Sequence, residues 1–181
     1  YQWYAFPFQF CSTPMYLFLI YSLSKNNKMD SYLISFLATF STFAGLAVIL
    51  YPSSVFINTI GINIQTMVHH GLMASIGMAL LLTQVKYNLK TILKGALVFI
   101  ILSGIAYGLN ILFDIFIATG EFNMFFISPD YATEIPVLSI IQPAVSHPVF
   151  LIIYILGFSL MAALILSIGK GISLINLNFN K

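Results

Sequence analysis

Five stretches of this chain run for about twenty residues each with almost no charge, the length a helix needs to cross the hydrocarbon core of a bilayer. They lie near 5–24, 30–51, 62–85, 91–118 and 147–169. Only 7% of the 181 residues are charged, against about 25% in a typical soluble domain, so a water-facing surface cannot be built from them. The expected fold is an all-α polytopic transmembrane helix bundle, one domain over 1–181, with about five spans. The chain opens on Tyr1 rather than methionine, which suggests a piece of a longer protein and about six spans if a helix precedes it. No basic n-region marks a cleavable signal. Pro7 is placed for the first turn of the first span, and Pro52 stops the second. The segment 120–146, with Pro129, Pro136 and Pro143, reads as a loop carrying a short interfacial helix.

Charge orients the bundle. All seven basic residues are lysines: Lys25 and Lys28 follow the first span, Lys86, Lys90 and Lys94 lie between the third and fourth, and Lys170 and Lys181 follow the fifth. The segment 52–61 is uncharged, and 120–146 holds only Glu121, Asp130 and Glu134. Basic loops lie on the cytoplasmic side, so residue 1 is external and Lys181 internal. Trp3, Tyr16, Tyr21 and Tyr51 read as interface anchors. A net charge of +2 with no basic stripe excludes a nucleic-acid footprint; the expected partners are membrane lipids, and the oligomeric state stays open. Cys11 is the only cysteine, so no disulfide closes within the chain. No cofactor motif is present, and the adjacent histidines have no carboxylate at i+3 or i+4 to complete a metal site.

Within these spans the polar residues cluster. Ionisable groups in hydrocarbon are rare and mark function by default, and His69 and His70 lie well inside the third span. At about 1.5 Å per residue, His70 sits roughly 12 Å from the outer end. Gln9, Cys11, Ser12 and Thr13 in the outer third of the first span, Asn110 and Asp114 in the fourth, and His147 at the mouth of the fifth fall in the same outward-facing layer. Asn63, Thr66, His70 and Gly77 share one helical face, with Gln65, His69 and Met73 on the next; Ser103, Tyr107, Asn110 and Asp114 share another. Gly104 and Gly108 form a Gly-x-x-x-Gly for close helix packing. Cys11 lies about 200° from Gln9 on a regular helix, so both cannot face inward unless Pro14 loosens that turn.

The segment Phe6-Pro7-Phe8-Gln9-Phe10-Cys11 resembles the Leu-Pro-x-His-x-Cys opening of YwaF-like bacterial membrane proteins. His69-His70-Gly71-Leu72 resembles their Ser-His-Gly segment, and Asn110 with Phe122-Asn123-Met124-Phe125-Phe126 resembles their Asn…Asn-Tyr-Met-Phe-Leu stretch. That family is similar to a eukaryotic family of membrane acyltransferases that remodel ether phospholipids. The resemblance implies a multi-pass protein of the bacterial cell membrane and acyl transfer through a cysteine thioester assisted by histidine. His70 matches the family histidine. The eukaryotic Pro-Cys-His is Pro7-Phe8-Gln9 here, and Cys11 matches the bacterial cysteine instead.

Two function classes follow. In an acyltransferase, His70 is the general base, Cys11 the nucleophile ahead of Ser12 or Thr13, and Asn110 an orienter or oxyanion donor; Gln9, Thr13, Thr66 and Asp114 line the substrate. In a binding or transport protein the same layer holds a lipid headgroup or small solute, and His70 with Asp114 carries a proton. A third, structural reading leaves these residues to fix packing alone.

Overall fold

The computed structural model describes residues 8–117 and 122–179; Trp3, Pro7, Thr119, Glu121 and Lys181 lie outside them. Among the described residues four helices are long and apolar enough to cross a membrane. They are α2 (Asn27–Leu50), α3 (Ile60–Thr83), α4 (Leu89–Phe116) and the start of α6 (His147–Phe179). A shorter apolar helix, α1 (Thr13–Leu23), precedes them, and a single turn, α5 (Leu138–Ile141), lies in the last loop.

Local chemistry sets the boundaries. Asn26 caps α2 by accepting from the amides of Lys28 and Met29, and Asn88 caps α4 by accepting from Thr91, which satisfies donors a helix start leaves open. Pro52 begins a 3₁₀ turn (Pro52–Ser54) directly after α2 ends. The last helix runs on past Lys170 as far as Phe179, because a lysine interrupts hydropathy without breaking a helix.

The first span differs from its expected form. Its described helix starts at Thr13, with Pro14 in the first turn, where the missing proline N–H removes no helical bond. Pro14 therefore begins the helix and does not break it. Residues ahead of Thr13 form a turn: the Gln9 carbonyl accepts from the amides of Ser12 and Thr13 and from the Thr13 hydroxyl at 2.7 Å. With 11 residues, α1 extends only about 16 Å.

The helices meet at small residues. A π-helical step at Leu37–Ser41 widens the middle of α2, where every residue is buried, and two glycines pack against it. A Cβ on Gly77 of α3 would collide with the Thr42 side chain and lie 2.8 Å from the Leu37 carbonyl; one on Gly95 of α4 would lie 3.2 Å from the Phe40 ring. Gly45 of α2 lies against the backbone of α3, where a Cβ would come within 2.7 Å of the His70 carbonyl. Among the described residues nothing lies within 4 Å of a Cβ on Gly104 or Gly108, so the expected Gly-x-x-x-Gly contact is not made among them.

The core is aromatic. Phe10 meets Phe99, Phe125 and Phe158 at ring separations of 5.1–5.6 Å, and Tyr154 meets Phe158 at 4.7 Å. The loop after α4 enters this core: Phe122, Met124, Phe125, Ile127 and Ser128 are all buried. On the outside, leucines and isoleucines such as Leu72, Ile101, Ile152 and Leu164 stay exposed, as lipid-facing positions should.

Candidate functional site

Residues 8–12 precede any regular helix, so the 100°-per-residue phase relation between Gln9 and Cys11 does not apply. The turn sends the two in different directions. Cys11, a free thiol, lines a cavity of about 860 Å³ together with His70 of α3, Tyr154 of α6 and, on the loop before α5, Glu134. Gln9 uses its Oε1 to accept from the Phe125 amide at 3.2 Å.

Both histidines have defined partners. His69 Nε2 lies 2.9 Å from the Cys11 carbonyl; a carbonyl only accepts, so this nitrogen carries the hydrogen. The bond fixes the Cys11 backbone at the level of the tenth residue of α3, about 14 Å below its start. His69 moors the cysteine segment. His70 Nδ1 donates to the Thr66 carbonyl at 2.7 Å, so in the neutral ring Nε2 keeps its lone pair. That Nε2 is sealed from solvent and has no hydrogen-bond partner.

The other cavity walls are apolar, among them Phe10, Phe43, Phe126, Val137 and Phe158, with Tyr51 and Glu134 exposed. Phe126 and Val137 hold φ of 60° and 70°, and Phe125 beside them holds 58°. Each such conformation in a residue with a Cβ costs about 1–3 kcal/mol and persists only where the surroundings over-determine it. Three side chains from distant parts of the chain do so at Met124–Phe126. Asn110 donates from its amide to the Met124 carbonyl at 3.0 Å and accepts from the Met124 N–H at 2.8 Å. Gln9 takes the Phe125 N–H, and the Tyr154 hydroxyl donates to the Phe125 carbonyl at 2.8 Å.

The structure thus brings Cys11 and His70 to one cavity. Gln9, Thr13, Thr66, Asn110 and Asp114 are not among the residues that line it. Thr66 orients His70 through its carbonyl, Thr13 closes the turn at Gln9, and Asn110 grips the loop. Ser103, Asn110 and Asp114 are buried along one face of α4 as their spacing predicts. No group of three or more His, Cys, Asp or Glu that could hold a metal occurs among the described residues. Tyr154 escaped the sequence reading, although a tyrosine near the centre of an apolar span is itself an intramembrane hydroxyl in need of a partner. Glu134 registered only as loop charge.

The family model of the TMEM164 family matches residues 1–170. The chain belongs to this family of membrane proteins. None of the curated proteins and none of the solved structures compared matches it. Within this TMEM164-family chain, Cys11, His70 and the clamped loop all fall inside the matched region.

Proposed function

We propose that this protein transfers an acyl chain between membrane phospholipids through a thioester on Cys11, with His70 as the general base. The observation that carries the reading is the shared cavity: Cys11 and His70 come from separate elements and line one largely apolar space. About 860 Å³ lies within the range of roughly 300–1,000 Å³ usual for ligand pockets, and its walls suit a hydrocarbon chain. The neutral His70 tautomer, with a lone pair on Nε2, has the form a base requires. The resemblance to YwaF-like proteins and to acyltransferases acting on ether phospholipids points the same way.

In the first half-reaction the Cys11 thiol gives its proton to His70 Nε2 and the sulfur bonds to the ester carbonyl carbon. The carbon–oxygen bond then breaks, and the proton passes to the departing glycerol oxygen, leaving a lysophospholipid. In the second, the hydroxyl of another lysophospholipid gives its proton to Nε2 and attacks the thioester, and the proton returns to sulfur. No oxidant or cofactor enters the balance. Thr66 and His69 are positioning residues, and the Asn110–Gln9–Tyr154 clamp holds Phe126 in the cavity wall.

The test uses the purified full chain in micelles with phosphatidylcholine labelled in its acyl chain. A hydroxylamine-sensitive label should form on Cys11, vanish in Cys11→Ala, and form about 10²-fold or more slowly in His70→Ala. Absence of label on the wild type, or a rate unchanged in His70→Ala, overturns the mechanism and leaves the cavity as a lipid-binding space.

A further inference from the structure

A second cavity, of about 590 Å³, lies at the opposite end of the bundle from the loop that carries Glu134. Its walls come from three places: Tyr21 near the end of α1, Asp30 and Ser31 in the first turns of α2, and Lys86, Lys90 and Lys94 around the start of α4. Unlike the first cavity, it is lined mainly by polar groups. Lys90 and Lys94 lie one helical turn apart on the same face of α4. Lys94 is held in place: its ammonium donates to the Ser31 hydroxyl at 3.0 Å and sits 5.4 Å from the centre of the Tyr32 ring. Asp30 Oδ1 is sealed from solvent and accepts no hydrogen bond. A carboxylate with an unpaired buried oxygen gains from any further donor offered to its cavity face. Three lysines against one aspartate leave the cavity cationic, at the level where the basic loops place the cytoplasmic headgroups.

We propose that this cavity binds the headgroup of an anionic phospholipid, its phosphate against Lys90 and Lys94 and a headgroup hydroxyl donated to Asp30. Basic pockets between helices on the cytoplasmic side suit anionic headgroups, and lysine serves phosphate as a point charge. The Asp30 carboxylate, part of the cavity wall, adds selectivity: it rewards a headgroup that carries a donor beyond its phosphate. This site shares no residue with the Cys11–His70 cavity and stands whether or not acyl transfer does.

Native mass spectrometry of the full chain, released from micelles after titration with lipids of identical acyl chains, tests the assignment. Phosphatidylglycerol should bind at least about tenfold more tightly than phosphatidylcholine. That preference should disappear in the Lys90→Gln, Lys94→Gln double variant and survive in Lys90→Arg, Lys94→Arg, which keeps the charge and controls for folding. Phosphatidylmethanol, anionic but without the hydroxyl, should bind less tightly than phosphatidylglycerol, and Asp30→Ala should erase that difference. Equal binding of phosphatidylglycerol to the wild type and the double glutamine variant overturns the site. Displacement of phosphatidylglycerol by millimolar inorganic phosphate overturns the lipid assignment, and an Asp30→Ala variant that keeps the difference overturns the role of Asp30.

Discussion

Replacing Asn110 with leucine removes both polar contacts of a fully buried side chain while nearly preserving its volume. The variant leaves the Met124 N–H and C=O, also fully buried, without the partners they have at 2.8 and 3.0 Å. Each buried group left unmade costs about 1–3 kcal/mol, so a rigid loop would lose roughly 2–6 kcal/mol. The loop is not rigid once released. Phe125 and Phe126 at φ 58° and 60° store about 1–3 kcal/mol each, and part of that returns as the turn relaxes. The expected net loss is about 2–4 kcal/mol, a large share of the usual 5–15 kcal/mol or so. Relaxation also withdraws Phe126 from the cavity wall, so label transfer to Cys11 should fall along with stability. Reversible unfolding in mixed micelles with increasing SDS measures the first effect. Tyr154→Phe deletes the hydroxyl that donates to the Phe125 carbonyl and acts on the same turn. In a double-mutant cycle the two should therefore couple by about 0.5–3 kcal/mol. A loss within about 0.5 kcal/mol of wild type for Asn110→Leu, or strict additivity with Tyr154→Phe, would show that these side chains do not hold the turn.

Other positions test the packing and the strain separately. Gly45→Ala should destabilise by about 1–3 kcal/mol in the same unfolding assay, because the added Cβ meets the α3 backbone at His70 and Ala74 within 2.7–2.8 Å; the displaced helix should also slow acylation of Cys11. Gly104→Ala with Gly108→Ala should leave stability unchanged or slightly raised, since among the described residues no atom outside the local helix lies within 4 Å of either new methyl and alanine favours helix; a loss above about 1 kcal/mol would contradict the packing described. Val137→Gly should stabilise by about 1 kcal/mol, because strain of about 1–3 kcal/mol at φ 70° outweighs a glycine entropy cost of about 0.5–1 kcal/mol, and the exposed valine gives up little burial; an equal or lower midpoint in SDS would refute the strain.

The four long spans can be read from the sequence because hydrocarbon imposes a length, and the α4 stripe because a 28-residue helix keeps its phase along its whole course. The Cys11 segment cannot be read in that way. Its direction depends on where α1 starts, and Thr13 becomes the first helical residue through a turn closed on the Gln9 carbonyl, a local bond that hydropathy does not register. Extending helical phase back through the turn allows only one of Gln9 and Cys11 to face inward, whereas the turn lets Gln9 reach Phe125 and Cys11 line the cavity. The loop at 122–128 fails for the opposite reason. It lies outside every span and just ahead of Pro129, Pro136 and Pro143, which suggests surface, since buried irregular backbone needs a partner for every polar group. Here the partners exist, but they are 14, 29 and 116 residues away, and no local pattern encodes such pairings. The same requirement divides the intramembrane polar residues into two kinds. Asn110, Gln9 and Tyr154 have their hydrogen-bonding groups matched to loop backbone, which explains their place in a membrane without invoking a ligand. His70 has one nitrogen matched and one without a hydrogen-bond partner; the buried hydroxyls of Ser41 and Ser103 also lack one, but of the three only His70 lines the cavity that holds Cys11, so it is the unmatched group for which a chemical role is proposed.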